Sequence, residues 1–131
     1  MVTEKEMRFQ GKNKDLSQLS QQISAYLQND GYKTQSATLT APSTGLVIQA
    51  KKENILRDII TAERCFTITI TGESNDFTVK IGIGKWIQNI AVALAEAAII
   101  SLLFLAIDVP EMLWTVHVEN TIVKKITELA A

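Results

Sequence analysis

Cysteine and histidine occur once each in these 131 residues, proline only twice, and charge of neither sign predominates. A lone Cys65 cannot close an internal disulfide, which suits a reducing compartment. A lone His117 excludes a two-histidine metal centre, and a mixed site would have to recruit Cys65. Its ordinary pKa near 6.5 suits proton transfer, but no Ser or Cys stands in a recognisable nucleophile motif. An enzyme is therefore not expected, nor is a metal or cofactor. With 13 basic and 14 acidic side chains the net charge is −1, and no long block of like charge interrupts the mixture. Nothing in that balance attracts nucleic acid. The opening Met1-Val2-Thr3-Glu4-Lys5-Glu6 carries charge where a cleaved signal needs an apolar core. The cytoplasm, or the cytoplasmic side of a membrane, is the expected location. Gly82 and Gly84 precede Lys85, but a phosphate loop needs four residues between its glycines and a Ser or Thr after its lysine. These glycines are expected to admit a crossing helix or to bend a strand end.

What the chain does have is apolar sequence. Residues 90–107 contain only two conventional polar members, Glu96 and Ser101. As a helix this run would span roughly 27 Å, just short of a bilayer's ~30 Å hydrocarbon core. It reads as a marginal membrane anchor or as a helix covered by protein on nearly every side. Glu96 favours the second reading, because a carboxylate at that depth in lipid costs roughly 2.5–3.5 kcal/mol. Trp86 and Trp114 bracket the run as an aromatic belt would, which keeps the first in play. Ala91, Ala95 and Ala98 form a small-residue stripe at helical spacing, and with Leu102 they are the candidate oligomer interface.

Elsewhere the pattern is that of one α+β domain over residues 1–131, with 47% hydrophobic and 21% charged residues arguing against global disorder. Asp15, three residues before Gln18, opens an amphipathic helix with Leu16, Leu19, Ile23, Tyr26 and Leu27 on one face, and Gly31 ends it. The period then drops to two. Strands are expected at residues 32–40, 46–52, 65–71 and 77–83, with a turn at residues 41–45 and another at 72–76. Phe66, Ile68, Ile70, Val79, Ile81 and Ile83 should be core; Thr67, Thr69 and Lys80 should face water. Gln49 and Lys51 fall on the same outward side, although Val47 interrupts it. This threonine-rich face holds no aromatic platform for nucleic-acid bases. Residues 54–62 read as a hairpin tip or a single helical turn. Pro110 marks a break, and a last helix covers residues 112–129 with Met112, Val116, Val123, Ile126 and Leu129 near one face. Trp114, Val116 and Val118 also fit a strand.

Three segments, Ile48-Gln49-Ala50-Lys51-Lys52, residues 66–71, and Ile81-Gly82-Ile83-Gly84-Lys85-Trp86 leading into an apolar stretch, carry a resemblance. Over residues 46–86 the chain resembles a family of small, uncharacterised prokaryotic proteins. The resemblance implies a fold segment and no activity.

The expected fold is a four-stranded antiparallel meander with an N-terminal amphipathic helix, a long apolar helix and a C-terminal helix covering one face. The expected function is a non-catalytic binding or assembly module that self-associates through residues 90–107. The alternatives are a hydrophobic-ligand carrier with its pocket between sheet and long helix, and a membrane-attached domain. Glu96, at the polar end of such a pocket, is the leading ligand-binding candidate, with Trp86, Trp114 and His117 beside it. The partners expected are a second copy of the chain, then a hydrophobic small molecule or a membrane.

Overall fold

The computed structural model describes residues 3–40, 44–52 and 64–131. The expected hairpin tip at residues 54–62 lies outside the described residues, as does part of the turn at 41–45. The sheet has five antiparallel strands, not four, in the order β1-β5-β4-β3-β2. These are β1 (Glu4–Gln10), β2 (Lys33–Leu39), β3 (Gly45–Lys51), β4 (Arg64–Glu73) and β5 (Asp76–Lys85). The meander expectation misses β1, whose charged opening hides a strict alternation: Glu4, Glu6, Arg8 and Gln10 are exposed while Lys5, Met7 and Phe9 are half-buried. Charge on an edge strand discourages pairing with other chains, and β1 is such an edge. Glu4 pairs with Gly82 and Gln10 with Asp76, so β1 lies along β5. Phe9 stacks on Phe77 at 5.3 Å between ring centroids, and Arg8 forks onto Asp76 at 2.9 and 2.8 Å.

Helix α1 (Leu16–Asn29) carries the chain from the β1 edge to the β2 edge. Asp15 caps it, its carboxylate accepting the Ser17 and Gln18 amides at 3.0 and 3.2 Å. Leu19, Ile23 and Leu27 bury the inner stripe, and Gly31 at φ +93° lets Tyr32 N bond back to the Leu27 carbonyl. On the sheet, Ile48, Phe66, Ile68, Ile70, Val79, Ile81 and Ile83 are fully buried in one cluster with α1 and the C-terminal helix. The main core is as the period-two pattern predicts.

The C-terminal helix is continuous but not uniform: α4 (Glu111–Trp114), a π-helical stretch (Thr115–Val123) and α5 (Lys124–Leu129). No strand forms at Trp114, Val116 and Val118. Trp114, Val118, Ile122, Ile126 and Ala130, every fourth residue, form the buried line, with Val123 beside it. Each such step overshoots a 3.6-residue turn by about 40°, and the wider π turns absorb the drift. The expected face is therefore out of phase in its first half: Met112 is 78% exposed and Val116 50%.

The larger correction concerns residues 90–107, which do not form a long helix. Only two single turns appear, α2 (Ile90–Ala93) and α3 (Ala97–Ile100). Asn89, left-handed at φ +53°, starts the first. Chain closure explains the break. Lys85 N bonds to the Leu102 carbonyl at 2.9 Å, and Leu105 N to the Ile83 carbonyl at 2.7 Å, just past the last β1–β5 pair. A straight helix from residue 90 would carry residue 102 roughly 18 Å from its start, so the run must fold back. It becomes a strap across the second face of the sheet. Ile90, Leu94 and Leu103 join Leu39, Val47 and Ile87 in a second buried cluster beneath it.

That strap overturns the expectation of one dry and one wet face. Thr67 and Thr69 are buried, Lys80 is half-buried, and both faces are covered. The glycines do make room, but for an irregular strap rather than a helix. A Cβ on Gly82 would lie 2.7 Å from the Phe104 ring, and one on Gly84 would run into the Leu103 carbonyl and Thr67 Oγ1.

Candidate functional site

Small side chains on the second face leave space that a polar cluster fills. Gln49, with no exposed surface, stands beside Thr67 on β4 and opposite Gln35 on β2. Its Nε2 donates to the Lys85 carbonyl at 2.8 Å and to Thr67 Oγ1 at 3.2 Å. Its Oε1 accepts from Ile87 N at 3.1 Å and from Gln35 Nε2 at 2.8 Å, while Gln35 Nε2 also donates to the Ile87 carbonyl at 2.8 Å. The two glutamines thus tie residues 85–87, which lead into the strap, to β2, β3 and β4. No buried side-chain nitrogen or oxygen among the described residues lacks a partner. Cys65 is fully buried in the same layer, its Sγ 3.9 Å from Thr67 Oγ1. Burial pushes its thiol up to about 12, outweighing the opposing pull of Thr67 and Lys51. Such a thiol is neutral and unreactive in the folded state.

Between the tied residues and α2 lies an open groove of about 520 Å³, with Lys33, Gln35, Trp86, Gln88 and Asn89 among its lining. Trp86 is half-buried, and two ammonium groups approach its ring: Lys33 Nζ at 5.7 Å and Lys51 Nζ at 5.6 Å from the centroid. Lys33 and Lys51 are direct cross-strand partners, as are Arg64 and Lys85 on the next strand pair but one.

The four ligand-binding candidates do not converge. Trp86 borders this groove. Trp114, 2% exposed, belongs to the main core on the other side of the sheet, where its Nε1 donates to Glu119 Oε1 at 3.2 Å. His117 is half-buried on that same C-terminal helix. Glu96 is exposed on the strap at the start of α3 and makes no cap hydrogen bond. It is neither buried in a pocket nor part of any ion pair among the described residues. Ala91, Ala95 and Ala98 all lie exposed and Leu102 half-exposed, yet the break between α2 and α3 leaves no common helical stripe.

Reading by residue type missed Gln35, Gln49 and Lys33. The signal for the glutamines was Val47, an apolar residue on the side taken to be wet. Among the described residues no group of three or more His, Cys, Asp or Glu side chains could hold a metal ion. No helix among them is long and apolar enough to cross a membrane. No protein-family model matches the chain, no curated protein matches its sequence and no solved structure matches it.

Proposed function

We propose that this chain is a non-catalytic assembly module that self-associates through the outward side of the strap. The observation that carries the reading is the apolar exposure there. Val92 is 75% exposed, flanked by exposed Ala91, Ala95 and Ala98, with Ile99 and Leu102 only partly covered. Exposed apolar side chains gathered on one short segment mark contact sites on globular proteins. The same patch on two copies gives an isologous twofold contact, with Val92 near Val92 of the other copy. A patch supplied by one short segment is at the small end for protein interfaces, so association in the micromolar range is expected. The carrier alternative draws less support, because Ile90, Leu94 and Leu103 already fill the space between strap and sheet.

Sedimentation equilibrium without detergent, over roughly 1–500 µM, tests the reading. The expected result is a rise from the 14.5 kDa chain mass toward twice that value. Val92→Asp should abolish the rise and leave the melting temperature unchanged. A native chain that stays at monomer mass throughout that range would refute it.

A further inference from the structure

The groove beside Trp86 adjoins the strap's apolar side, sharing Ala91 and Val92 with it, and its charge distribution is unusual for a chain with net charge −1. Lys33 and Lys51 are held directly opposite one another at the end of an edge strand pair. Like charges so placed are destabilising, by up to about 1 kcal/mol relative to neutral pairs. Both ammoniums also converge on one indole, and each cation–ring contact at an exposed site returns roughly 0.5–1 kcal/mol. Lys52, one residue on, has Asp30 at 3.7 Å. By contrast, neither Lys33 nor Lys51 has a carboxylate within ion-pair distance among the described residues. The two ring contacts offset that repulsion, so the pair is held together at little net cost to the fold.

We propose that the Trp86 groove binds a small organic phosphate, its phosphoryl group between Lys33 and Lys51 and its apolar part against Trp86 and Val92. Three features select that class. Lys33 lines the groove and Lys51 lies beside it over the same indole; two such point charges match a dianion, whereas a planar carboxylate is better matched by an arginine fork, and no arginine among the described residues lines the groove. The side-chain amides of Gln88 and Asn89 are exposed at the rim and can donate to phosphoryl oxygens. The groove volume, about 520 Å³, falls in the range of organic-ligand sites and exceeds what an inorganic ion needs. The same chemistry occurs on a phospholipid headgroup, so the test separates the two sources.

The probe is phenyl phosphate, titrated into the nitrogen-15-labelled full chain while the two indole N–H resonances are followed. The half-buried Trp86 signal should shift saturably and the core Trp114 signal should not move. Benzoate, phenol and inorganic phosphate should each bind at least about tenfold more weakly. The double variant Lys33→Gln, Lys51→Gln should lose about tenfold or more in affinity. Its melting temperature should change little, since the repulsion and the two cation–ring contacts are lost together. Phosphatidylcholine vesicles carrying phosphatidic acid should not retain the protein. The proposal is overturned by no Trp86 shift up to ~10 mM probe, by binding that survives the double substitution, by benzoate binding as well as phenyl phosphate, or by retention on the vesicles without any response to the soluble probe.

Discussion

Gln49 shows how a polar residue in mid-strand becomes part of the architecture. Its amide is wholly enclosed and uses both ends, giving protons to the Lys85 carbonyl and Thr67 and accepting them from Ile87 N and Gln35. Replacing it with leucine keeps most of the volume but strands the Ile87 N–H and the Lys85 C=O in a dry layer. An unpaired buried polar group costs about 1–3 kcal/mol, so Gln49→Leu is expected to lower stability by about 2–4 kcal/mol in urea unfolding. A change under about 0.5 kcal/mol would show that the strap is not held there. Strand alternation placed Gln49 on the correct face and misjudged what that face meets. Periodicity says which residues share a side of a sheet, not whether that side is wet. Composition held the missing information. Val47 is apolar, Thr67 and Thr69 are compact, Cys65 is a small hydrophobe, and Gly82 and Gly84 have no side chain at all. Those are the residues of a covered face.

The same distinction separates the elements that were legible from those that were not. α1 was legible because its cap, its apolar stripe and its terminal glycine agree with one another. The main-core strands were legible for the same reason. Residues 90–107 carry no such agreement: apolar all round, they fit a helix of any phase and also a buried strap. What decides between them is a pair of long-range hydrogen bonds to β5, which no local pattern encodes. The C-terminal helix was legible in extent but not in phase, because a 3.6 period was applied where the buried residues recur at four. The two phases make opposite predictions. Val118→Ala, in the core, should cost about 2 kcal/mol, while Val116→Ala, half exposed, should stay within about 0.5 kcal/mol. Thermal unfolding of the two variants discriminates, and the reverse order would restore the uniform helix.

Taken together, the sheet is the middle of three layers, with α1 and the C-terminal helix on one side and the strap on the other. The arrangement makes the apolar run serve two purposes. Its inner residues dry the second face, and its outer residues form the surface proposed to meet a second copy of the chain. The groove at the strap's first turn depends on the same tie points, since Gln35 both lines it and bonds to Gln49 and Ile87. All of this stands on the strap lying closed over the threonine face, and Cys65 is the natural reporter. It is the chain's only thiol, it lies fully buried in that layer, and burial keeps it protonated. Its reaction with Ellman's reagent at pH 8 therefore requires opening. The native chain should react at least about a thousandfold more slowly than in urea. Gly84→Ala, which drives a methyl into the Leu103 carbonyl, should react much faster while keeping the native circular dichroism spectrum. Rapid labelling of Cys65 in the folded native chain would contradict the closed strap.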